Sequence, residues 1–250
     1  MHIAKGISML TISAAMMGRT EVIHPALIWD EHTTILVDTG YPGQLPLIRE
    51  EMEKLGISFN KLNKVILSHQ DLDHIGSLPI IAAELAPAVE VFASKLEQPY
   101  IQGDAMLLKI TPDSIAQAME AIPAEVPDEW RRAFRQLLEN PPKAKVDTLL
   151  TDGEELPYCG GLTVIATPGH TPGHISLYHQ QSKTLIAADA MIVVDGQLLG
   201  PDPQQSLDYA QAKRSLSKFV PFDIAAVICY HGGIYTADVN QRIAELAAAE

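Results

Sequence analysis

The sequence predicts an α/β protein in which two β-sheets pack together with helices on their outer sides. Three observations support this class: strand and helix patterns alternate along the chain, they do so in two similar halves, and each half ends in histidine and aspartate residues. Elements with one apolar face each are typical of such layered architectures. At 250 residues, 47% of them hydrophobic, the chain can bury a substantial core.

Apolar patterns define the elements of the first half. Short apolar runs predict strands at residues 7–14, 22–29, 34–37, 65–67 and 89–93. Apolar residues at helical spacing predict helices at residues 46–55, which Gly56 follows, and 77–85. Residues 96–147 differ, because six prolines separate helical pieces at 114–121 and 129–138. We expect this segment to be a helical insertion over the core, so that residues 1–250 form a single domain.

The second half repeats the alternation. Strands are predicted at residues 148–150, 162–166, 176–179, 184–187 and 225–228. Helices are predicted at residues 208–218 and 238–248. The two halves together account for the two predicted sheets.

The charge and the cysteine content restrict the binding partners and the cellular compartment that we expect. A net charge of −13, from 18 basic and 31 acidic residues, argues against nucleic acid and against an anionic membrane as partner. The two cysteines, Cys159 and Cys229, form no secreted framework and are expected to be free thiols. The apolar run at 7–17 precedes no convincing cleavage site, and no segment is long enough to span a membrane. We therefore expect a cytoplasmic protein with a small-molecule substrate, and leave a homodimer open.

A cluster of histidine and aspartate residues directly follows the predicted strand at 65–67. His69, Asp71, Asp73 and His74 lie within six residues, and alternate positions of an extended turn can point the same way. Two imidazoles and two carboxylates on one loop would leave charge unbalanced without a cation. Loops at strand ends are held by a rigid scaffold, as a metal site requires. The cluster therefore predicts a metal site.

Three further residues of the same kind follow other strands. They are His170 in a Pro-Gly-His sequence, Asp189 after the strand at 184–187, and His231 after the strand at 225–228. Imidazole with carboxylate suits zinc, iron, manganese or cobalt, and the lack of nearby thiolate pairs argues against a structural zinc knuckle. The remaining histidines have a simpler interpretation: His2, His32 and His179 are expected to be solvated, and His24 is left open. Cys229 is expected to be a buried inert thiol, with an approach to the site as the alternative.

Five signals in chain order resemble the metallo-β-lactamase fold superfamily. They are Asp38 after an early strand, the cluster at 69–74, the Pro-Gly-His sequence at 168–170, Asp189 and His231. The resemblance covers nearly the whole chain. It implies a four-layer αβ/βα sandwich of two mixed sheets with outer helices and two metal ions at one edge. Zinc is the expected metal, with iron or manganese as alternatives.

The resemblance also implies a role for each position. His69, Asp71 and His170 would hold the first ion, Asp73, His74 and His231 the second, and Asp189 would bridge them. Asp38 would orient a ligand from outside the coordination shell, and His174 would support the Pro-Gly-His loop.

Asp71 departs from the usual pattern, which has histidine at this position. The His-x-Asp-x-Asp-His motif at 69–74 resembles a bacterial subgroup of metal-dependent hydrolases. A third carboxylate removes the net positive charge that the usual ligands would leave around two divalent ions and a hydroxide. We therefore expect a harder first site, more tolerant of iron or manganese, and weaker attraction for anionic substrates.

The expected reaction is hydrolysis of an ester, lactone or thioester bond, or of a phosphotriester, in a small uncharged substrate. A bridging hydroxide would attack, with Asp73 steering it. The substrate is expected to lie beneath the insertion, whose apolar side chains either line a pocket or form ordinary core. These side chains are Tyr100, Met106, Leu107, Leu108, Ile110, Met119, Trp130 and Phe134.

Other classes remain open as alternatives. A di-iron or mononuclear-iron oxidoreductase on the same fold is the first, although the chain has no room for an attached flavin domain. A nuclease is disfavoured by the acidic balance. A thioesterase acting on a glutathione conjugate would need a basic patch near the C-terminus, for which Lys213, Arg214 and Lys218 are the only candidates. A non-catalytic binding module would need its open metal positions blocked.

Overall fold

The computed structural model describes residues 1–16 and 19–249 and confirms the predicted fold class. Met17 and Gly18, where a leader cleavage site was considered, lie outside the described residues. The strands of the first half are β1 (His2–Ala4), β2 (Ile7–Met9), β3 (Ile12–Met16), β4 (Arg19–Ile23), β5 (Ala26–Trp29), β6 (Thr34–Val37), β7 (Lys64–Ile66), β8 (Glu90–Ser94) and β9 (Thr148–Leu150). The strands of the second half are β10 (Glu155–Leu156), β11 (Leu162–Ala166), β12 (Ile175–His179), β13 (Thr184–Ala188), β14 (Ile192–Val194), β15 (Gln197–Leu199), β16 (Ala226–Cys229) and β17 (Gly233–Tyr235).

The helices lie between and after these strands. They are α1 (Leu45–Lys54), α2 (Leu72–Ile75), α3 (Leu78–Glu84), α4 (Gln98–Ile101), α5 (Pro112–Glu120), α6 (Asp128–Glu139), α7 (Tyr209–Ser215) and α8 (Val239–Ala248). Short 3-10 helices occupy Phe59–Lys61 and Leu216–Phe219, the second of which ends the predicted helix at 208–218. No helix among these combines the length and the apolar character needed to cross a membrane within the part of the chain described.

Two mixed sheets form the centre of the fold. The first has the order β1-β2-β5-β6-β7-β8-β9 and changes from antiparallel to parallel pairing at β6. The second has the order β10-β11-β12-β13-β16-β17, in which only β13 and β16 pair in parallel. Apolar side chains of both sheets, such as Ile28, Ile66, Leu177 and Ile186, form one buried cluster. Separate clusters join α1 and α3 to the first sheet and α8 to the second, which gives the layered arrangement.

Two predicted strands are interrupted where the chain leaves the first sheet. The strand expected at 7–14 breaks after Met9, and the one expected at 22–29 breaks at His24 and Pro25. Proline has no N–H to donate to a neighbouring strand. At this break Leu10 N donates to Pro25 O at 2.8 Å, and His24 Nδ1 lies 3.1 Å from Leu10 O. As a result β3 and β4 form a separate hairpin that carries Glu21 toward the candidate site.

The chain between β8 and β9 contains α4, α5 and α6, and its apolar residues do not line the candidate site's cavity. Ile101 and Leu107 are buried in the core cluster, and Tyr100 and Ile110 pack against it. Trp130 lies on the outer surface, with 67% of its surface exposed. Of the two alternatives for these apolar side chains, ordinary core is confirmed for Tyr100, Leu107 and Ile110, and none of the apolar side chains named above lines the cavity.

The prediction that His179 is solvated is also wrong. Its side chain is fully buried, with Nε2 2.7 Å from Cys159 O and Nδ1 2.6 Å from Ser182 Oγ. His2 and His32 are exposed as expected. Both cysteines are free and buried, and burial, with a contribution from Asp189, raises the pKa of Cys229, so that it stays a thiol.

Candidate metal centre

The ligand-type residues lie at strand ends along one edge of the two sheets. The loop after β7 leads to Asp71, which has an extended backbone and directly precedes α2, and α2 itself carries Asp73 and His74. His170 lies between β11 and β12, and Asp189 and His231 follow β13 and β16. The structure thus brings the seven side chains of the predicted ligand set together from both sheets.

The first group consists of His69, Asp71, His170 and Asp189. Asp71 Oδ2 lies 3.2 Å from His69 Nε2 and 3.0 Å from His170 Nε2. Asp189 Oδ2 lies 3.3 Å from His170 Nε2 and 4.0 Å from His69 Nε2. The facing atoms are the imidazole and carboxylate atoms that bind metals.

The second group consists of Asp73, His74 and His231, again with Asp189. Asp73 Oδ2 lies 3.3 Å from His231 Nε2 and 3.6 Å from His74 Nε2. Asp189 Oδ1 lies 3.5 Å from His74 Nε2, and its Oδ2 lies 3.6 Å from His231 Nε2. Asp189 is therefore the carboxylate that contacts both groups.

Unpaired buried atoms test whether these residues fit metal ions. His69 Nε2, His74 Nε2 and Asp189 Oδ1 are buried and have no hydrogen-bond partner. Buried polar atoms in native proteins nearly always have a partner, so such a cluster needs an explanation. Ligand atoms about 2.0–2.2 Å from a shared zinc ion lie roughly 3–3.6 Å from one another. The separations given for both groups match this range, except that His69 Nε2 lies 4.0 Å from Asp189 Oδ2. The residues therefore fit bound metal ions.

Asp38 and Ser68 contact the histidines of the 69–74 cluster at Nδ1, the ring nitrogen that does not face the ligand groups. Asp38 is buried, has a left-handed φ of 64°, and accepts hydrogen bonds from Ser68 N and Ser68 Oγ, both at 2.8 Å. Its Oδ2 also lies 2.9 Å from His74 Nδ1. A carboxylate can only accept, so His74 donates through Nδ1 and directs Nε2 toward the ligand groups. Ser68 Oγ lies 2.9 Å from His69 Nδ1 and orients that ring similarly.

His174 supports Asp189 rather than facing the ligand groups. It is fully buried, and its Nε2 accepts a hydrogen bond from Asp189 N at 3.2 Å. Its Nδ1 lies 2.8 Å from Thr167 Oγ1. Burial, reinforced by His69, holds the pKa of His174 well below its usual range, so the ring is neutral and can accept this bond.

The electrostatics of the two groups differ. Burial lowers the pKa of His69, which favours the neutral imidazole that metals bind. Burial acts in the same direction on His74, but Asp73 and Asp38 outweigh it and raise its pKa well above the usual value. Burial likewise opposes charge on His231, whereas Asp189 and Asp73 raise its pKa to about 10. An ion in the second group would displace these protons and take their place as countercharge.

The glycine of the Pro-Gly-His loop permits a close approach between segments. Gly169 has a φ of +133°, and a Cβ atom there would lie 2.1 Å from Ala212 N in α7. The loop is pinned further by Asp208 N, which donates to Gly169 O at 2.8 Å. Glycine is therefore required where the loop presses His170 against the ligand groups.

Glu97 ties the two ligand-bearing loops together, and the sequence analysis missed it. This fully buried carboxylate accepts bonds from Gln70 N at 3.0 Å and Gln70 Nε2 at 2.8 Å. Its other oxygen accepts from Thr171 Oγ1 at 2.8 Å and Gly173 N at 2.7 Å. Gln70 belongs to the 69–74 cluster, and Thr171 and Gly173 follow His170. Nothing near Glu97 in the sequence signals this role.

Lys109 is a second residue that the sequence analysis missed, although its apolar neighbours were named. Its Nζ lies 2.5 Å from Asp71 Oδ2 and 2.8 Å from His170 Nε2. The expectation that Asp71 adds an unbalanced carboxylate is therefore incomplete, because a lysine from the segment between β8 and β9 contacts it.

A cavity of about 380 Å³ opens beside the ligand groups. Besides the ligands, its wall carries Glu21, Tyr41, Ile192, Asp202 and Gln205. Tyr41 follows β6, and Asp202 and Gln205 lie in the chain between β15 and α7. No lysine or arginine lines this cavity within the described part of the chain, so its wall is acidic and partly apolar.

Comparison with known proteins identifies the family. The family model of the metallo-beta-lactamase superfamily matches residues 21–231, and the chain belongs to this superfamily. A relative named probable metallo-hydrolase YflN from Bacillus subtilis is 30% identical over 241 residues, which are 92% of this chain and 84% of that protein. The hydroxyacylglutathione hydrolase GloC of Haemophilus influenzae is 26% identical over 222 residues, 87% of this chain and 89% of that protein. These relatives support a hydrolase that depends on metal.

Solved structures agree with the fold. The crystal structure of a metallo-beta-lactamase family protein from Thermus thermophilus superposes with a TM-score of 0.66 at 23% identity. The match covers 99% of this chain and 80% of that one. It supports the four-layer sandwich inferred from the sequence.

Proposed function

We propose that this protein is a hydrolase with a dinuclear metal centre that cleaves an ester, lactone or thioester bond, or a phosphotriester, in a small uncharged substrate. The observation that carries the proposal is the convergence of seven ligand-type side chains, among which His69 Nε2, His74 Nε2 and Asp189 Oδ1 are buried and have no hydrogen-bond partner. Zinc is the proposed metal, and iron or manganese would also suit the ligand set. Because ligands come from both sheets, residues 1–250 are proposed to act as one domain.

The proposed ligand assignment follows the two groups. His69, Asp71 and His170 hold the first ion, and Asp189 bridges it to the second. Asp73, His74 and His231 complete the second site. His69, His170 and Asp189 on one side, and Asp73, His74 and His231 on the other, each present atoms within 4.8 Å of one another. With Asp71 in place of histidine, the motif supports placing the protein in the metal-dependent hydrolase subgroup that carries it.

Bound divalent ions supply a Lewis acid and lower the pKa of water, the two requirements for hydrolysis near neutral pH. Asp73 lies on the cavity wall, where it can accept a proton from the attacking water. Burial raises the pKa of Asp73, but His74 and His231 outweigh this and lower it, which keeps the carboxylate ionised. Tyr230 donates to Asp73 O at 2.5 Å and holds this part of α2 in place.

The charge of the cavity wall supports an uncharged substrate. Glu21 and Asp202 add two carboxylates beyond those of the ligands. A glutathione conjugate, the substrate class in the name of the Haemophilus relative, is anionic and finds no basic partner there. Lys213 and Arg214 line a different pocket beside α8, and Lys218 pairs with Asp152 at 2.8 Å. Within the described part of the chain, the candidate residues for this basic patch therefore lie away from the cavity.

A panel of matched substrates tests the proposal. Zinc-loaded protein is assayed with esters, a lactone, a thioester and a phosphotriester, and each ester is paired with an analogue that carries a carboxylate. We expect the neutral member to have the higher kcat/KM by at least about tenfold, since each uncompensated charge pair at close range costs on the order of 1 kcal/mol or more.

Two results would count against this proposal. A preference for the anionic members would show that the acidic wall does not select the substrate. No hydrolysis of any member, together with oxygen consumption by iron-loaded protein, would favour the oxidoreductase class.

A further inference from the structure

Lys109 reaches the first ligand group from outside both ligand-bearing loops. It lies in the chain between α4 and α5, and its side chain is 22% exposed. The neighbouring backbone is fixed, because Leu108 N donates to Gln70 Oε1 at 2.7 Å and Ser114 Oγ donates to Lys109 O at 2.9 Å. Leu107 is buried in the core. Hydrogen bonds and core packing thus fix the backbone around Lys109, and this positions its ammonium at the site.

The ammonium contacts the very atoms that a metal ion would use. Lys109 Nζ lies 2.5 Å from Asp71 Oδ2 and 2.8 Å from His170 Nε2. Both are atoms that face His69 Nε2 or Asp189 across the first group. An imidazole nitrogen has one lone pair, so His170 Nε2 cannot bind an ion while it accepts from the Lys109 ammonium or donates to Asp71 Oδ2, which lies 3.0 Å away.

The second group has no such cation. The close charged contacts of Asp73, His74 and His231 are with one another, with Asp189 and with Asp38, within the residues that the structure describes. The two sites are therefore unequal in what an entering ion must displace.

We propose that Lys109 is a built-in competitor of the first metal ion. The second site, with His231, fills first, and the first site fills only when the Lys109 ammonium withdraws from His170. Lys109 then acts as a positioning residue that sets metal occupancy. This inference rests on the proposed function, because it assumes that both groups bind divalent ions.

Calorimetric titration of the metal-stripped full-length protein with zinc tests the inference. Wild-type protein is expected to bind one ion tightly and a second more weakly. Lys109→Met removes the competing charge and leaves Asp71 without a countercation, so the second ion should bind about 10–100-fold more tightly, the range over which residues contacting metal ligands alter affinity. Lys109→Arg, which keeps the charge, should retain the wild-type inequality.

Three further variants complete the design. Lys145→Met removes a lysine of the same segment whose side chain is 81% exposed, and should match wild type. His231→Ala should lose the tight ion, whereas His170→Ala should keep it. Thermal unfolding of each stripped variant checks that it is folded.

The outcomes separate the inference from the proposed function. Two equally tight ions in wild type, or a second-ion affinity that is unchanged or weaker in Lys109→Met, would overturn the competitor role while leaving a dinuclear centre. Loss of the tight ion in His170→Ala but not in His231→Ala would also overturn it. Failure of every variant to bind zinc would overturn the proposed function itself.

Discussion

Asp189→Asn is expected to abolish hydrolysis and to reduce the binding of both metal ions. Asp189 is the carboxylate that contacts both ligand groups, at 3.3 Å from His170 Nε2 and 3.5 Å from His74 Nε2. Asparagine keeps the size of the side chain but offers only one neutral oxygen. Losing a residue that merely supports a ligand costs about 10–100-fold in affinity or activity, and we expect losing this ligand to exceed that range. Metal content by mass spectrometry and kcat/KM for a neutral ester are the measurements.

A matched control shows whether the effect depends on this position or only on the loss of a negative charge. Asp223 pairs with Lys183, and its side chain is 70% exposed. Asp223→Asn should keep the metal content and kcat/KM of wild type. Full metal occupancy and full activity in Asp189→Asn would show that Asp189 is not the bridging ligand.

Glu97→Ala is expected to destabilise the protein and to disorganise both ligand-bearing loops. Four donors from Gln70, Thr171 and Gly173 would lose a buried charged acceptor. Hydrogen bonds to charged groups contribute about 1.5–3 kcal/mol each, and orphaned donors add a penalty, so we expect a loss of at least about 3 kcal/mol. In a chain of this size that corresponds to a fall in Tm of roughly 6–12 °C. Thermal unfolding and zinc titration measure the two effects.

Glu125→Ala provides the control, since Glu125 is exposed in the same segment of the chain. Its Tm should stay at the wild-type value. A Tm unchanged in Glu97→Ala, or a normal zinc titration in that variant, would show that Glu97 does not hold the loops.

The parts of the fold that depend on local pattern could be predicted from the sequence. The strands at 34–37 and 162–166 and the end of α8 at Ala248 match their apolar periodicity. The breaks at Leu10 and at Pro25 could not be located, because they depend on a long-range bond between Leu10 N and Pro25 O. His179 illustrates the same limit, since its burial depends on Cys159 O, which lies 20 residues away.

The residues of the candidate site likewise divide into those that local sequence pattern identifies and those that it does not. The ligand-type residues could be named because each follows an apolar strand in a short recognisable context, and strand ends of packed sheets meet at an edge. Glu97 and Lys109 carry no such context. Glu97 acts through contacts up to 76 residues distant, and Lys109 lies 38 residues from Asp71 and 61 from His170. Their roles arise only when the segment between β8 and β9 packs against the metal loops.

Lys109 also changes the interpretation of Asp71. From the sequence, Asp71 only adds negative charge to the first site. In the structure the carboxylate is paired with an ammonium. Burial opposes its charge, but His69 and His170, with a smaller contribution from Lys109, lower the pKa of Asp71 well below its usual value. Under the proposed competition, the Asp71–Lys109 pair would control access of an ion to the first site, and Asp71 would also add a hard ligand.

The proposed hydrolysis depends on metal ions held by these seven residues. The most direct test compares the hydrolysis of a neutral ester by metal-stripped protein before and after zinc is restored, with Asp189→Asn treated in parallel. We predict no activity above background in the stripped protein, recovery as zinc is restored, and no recovery in the variant. Full activity in the stripped protein, or equal recovery in the variant, would contradict the claim.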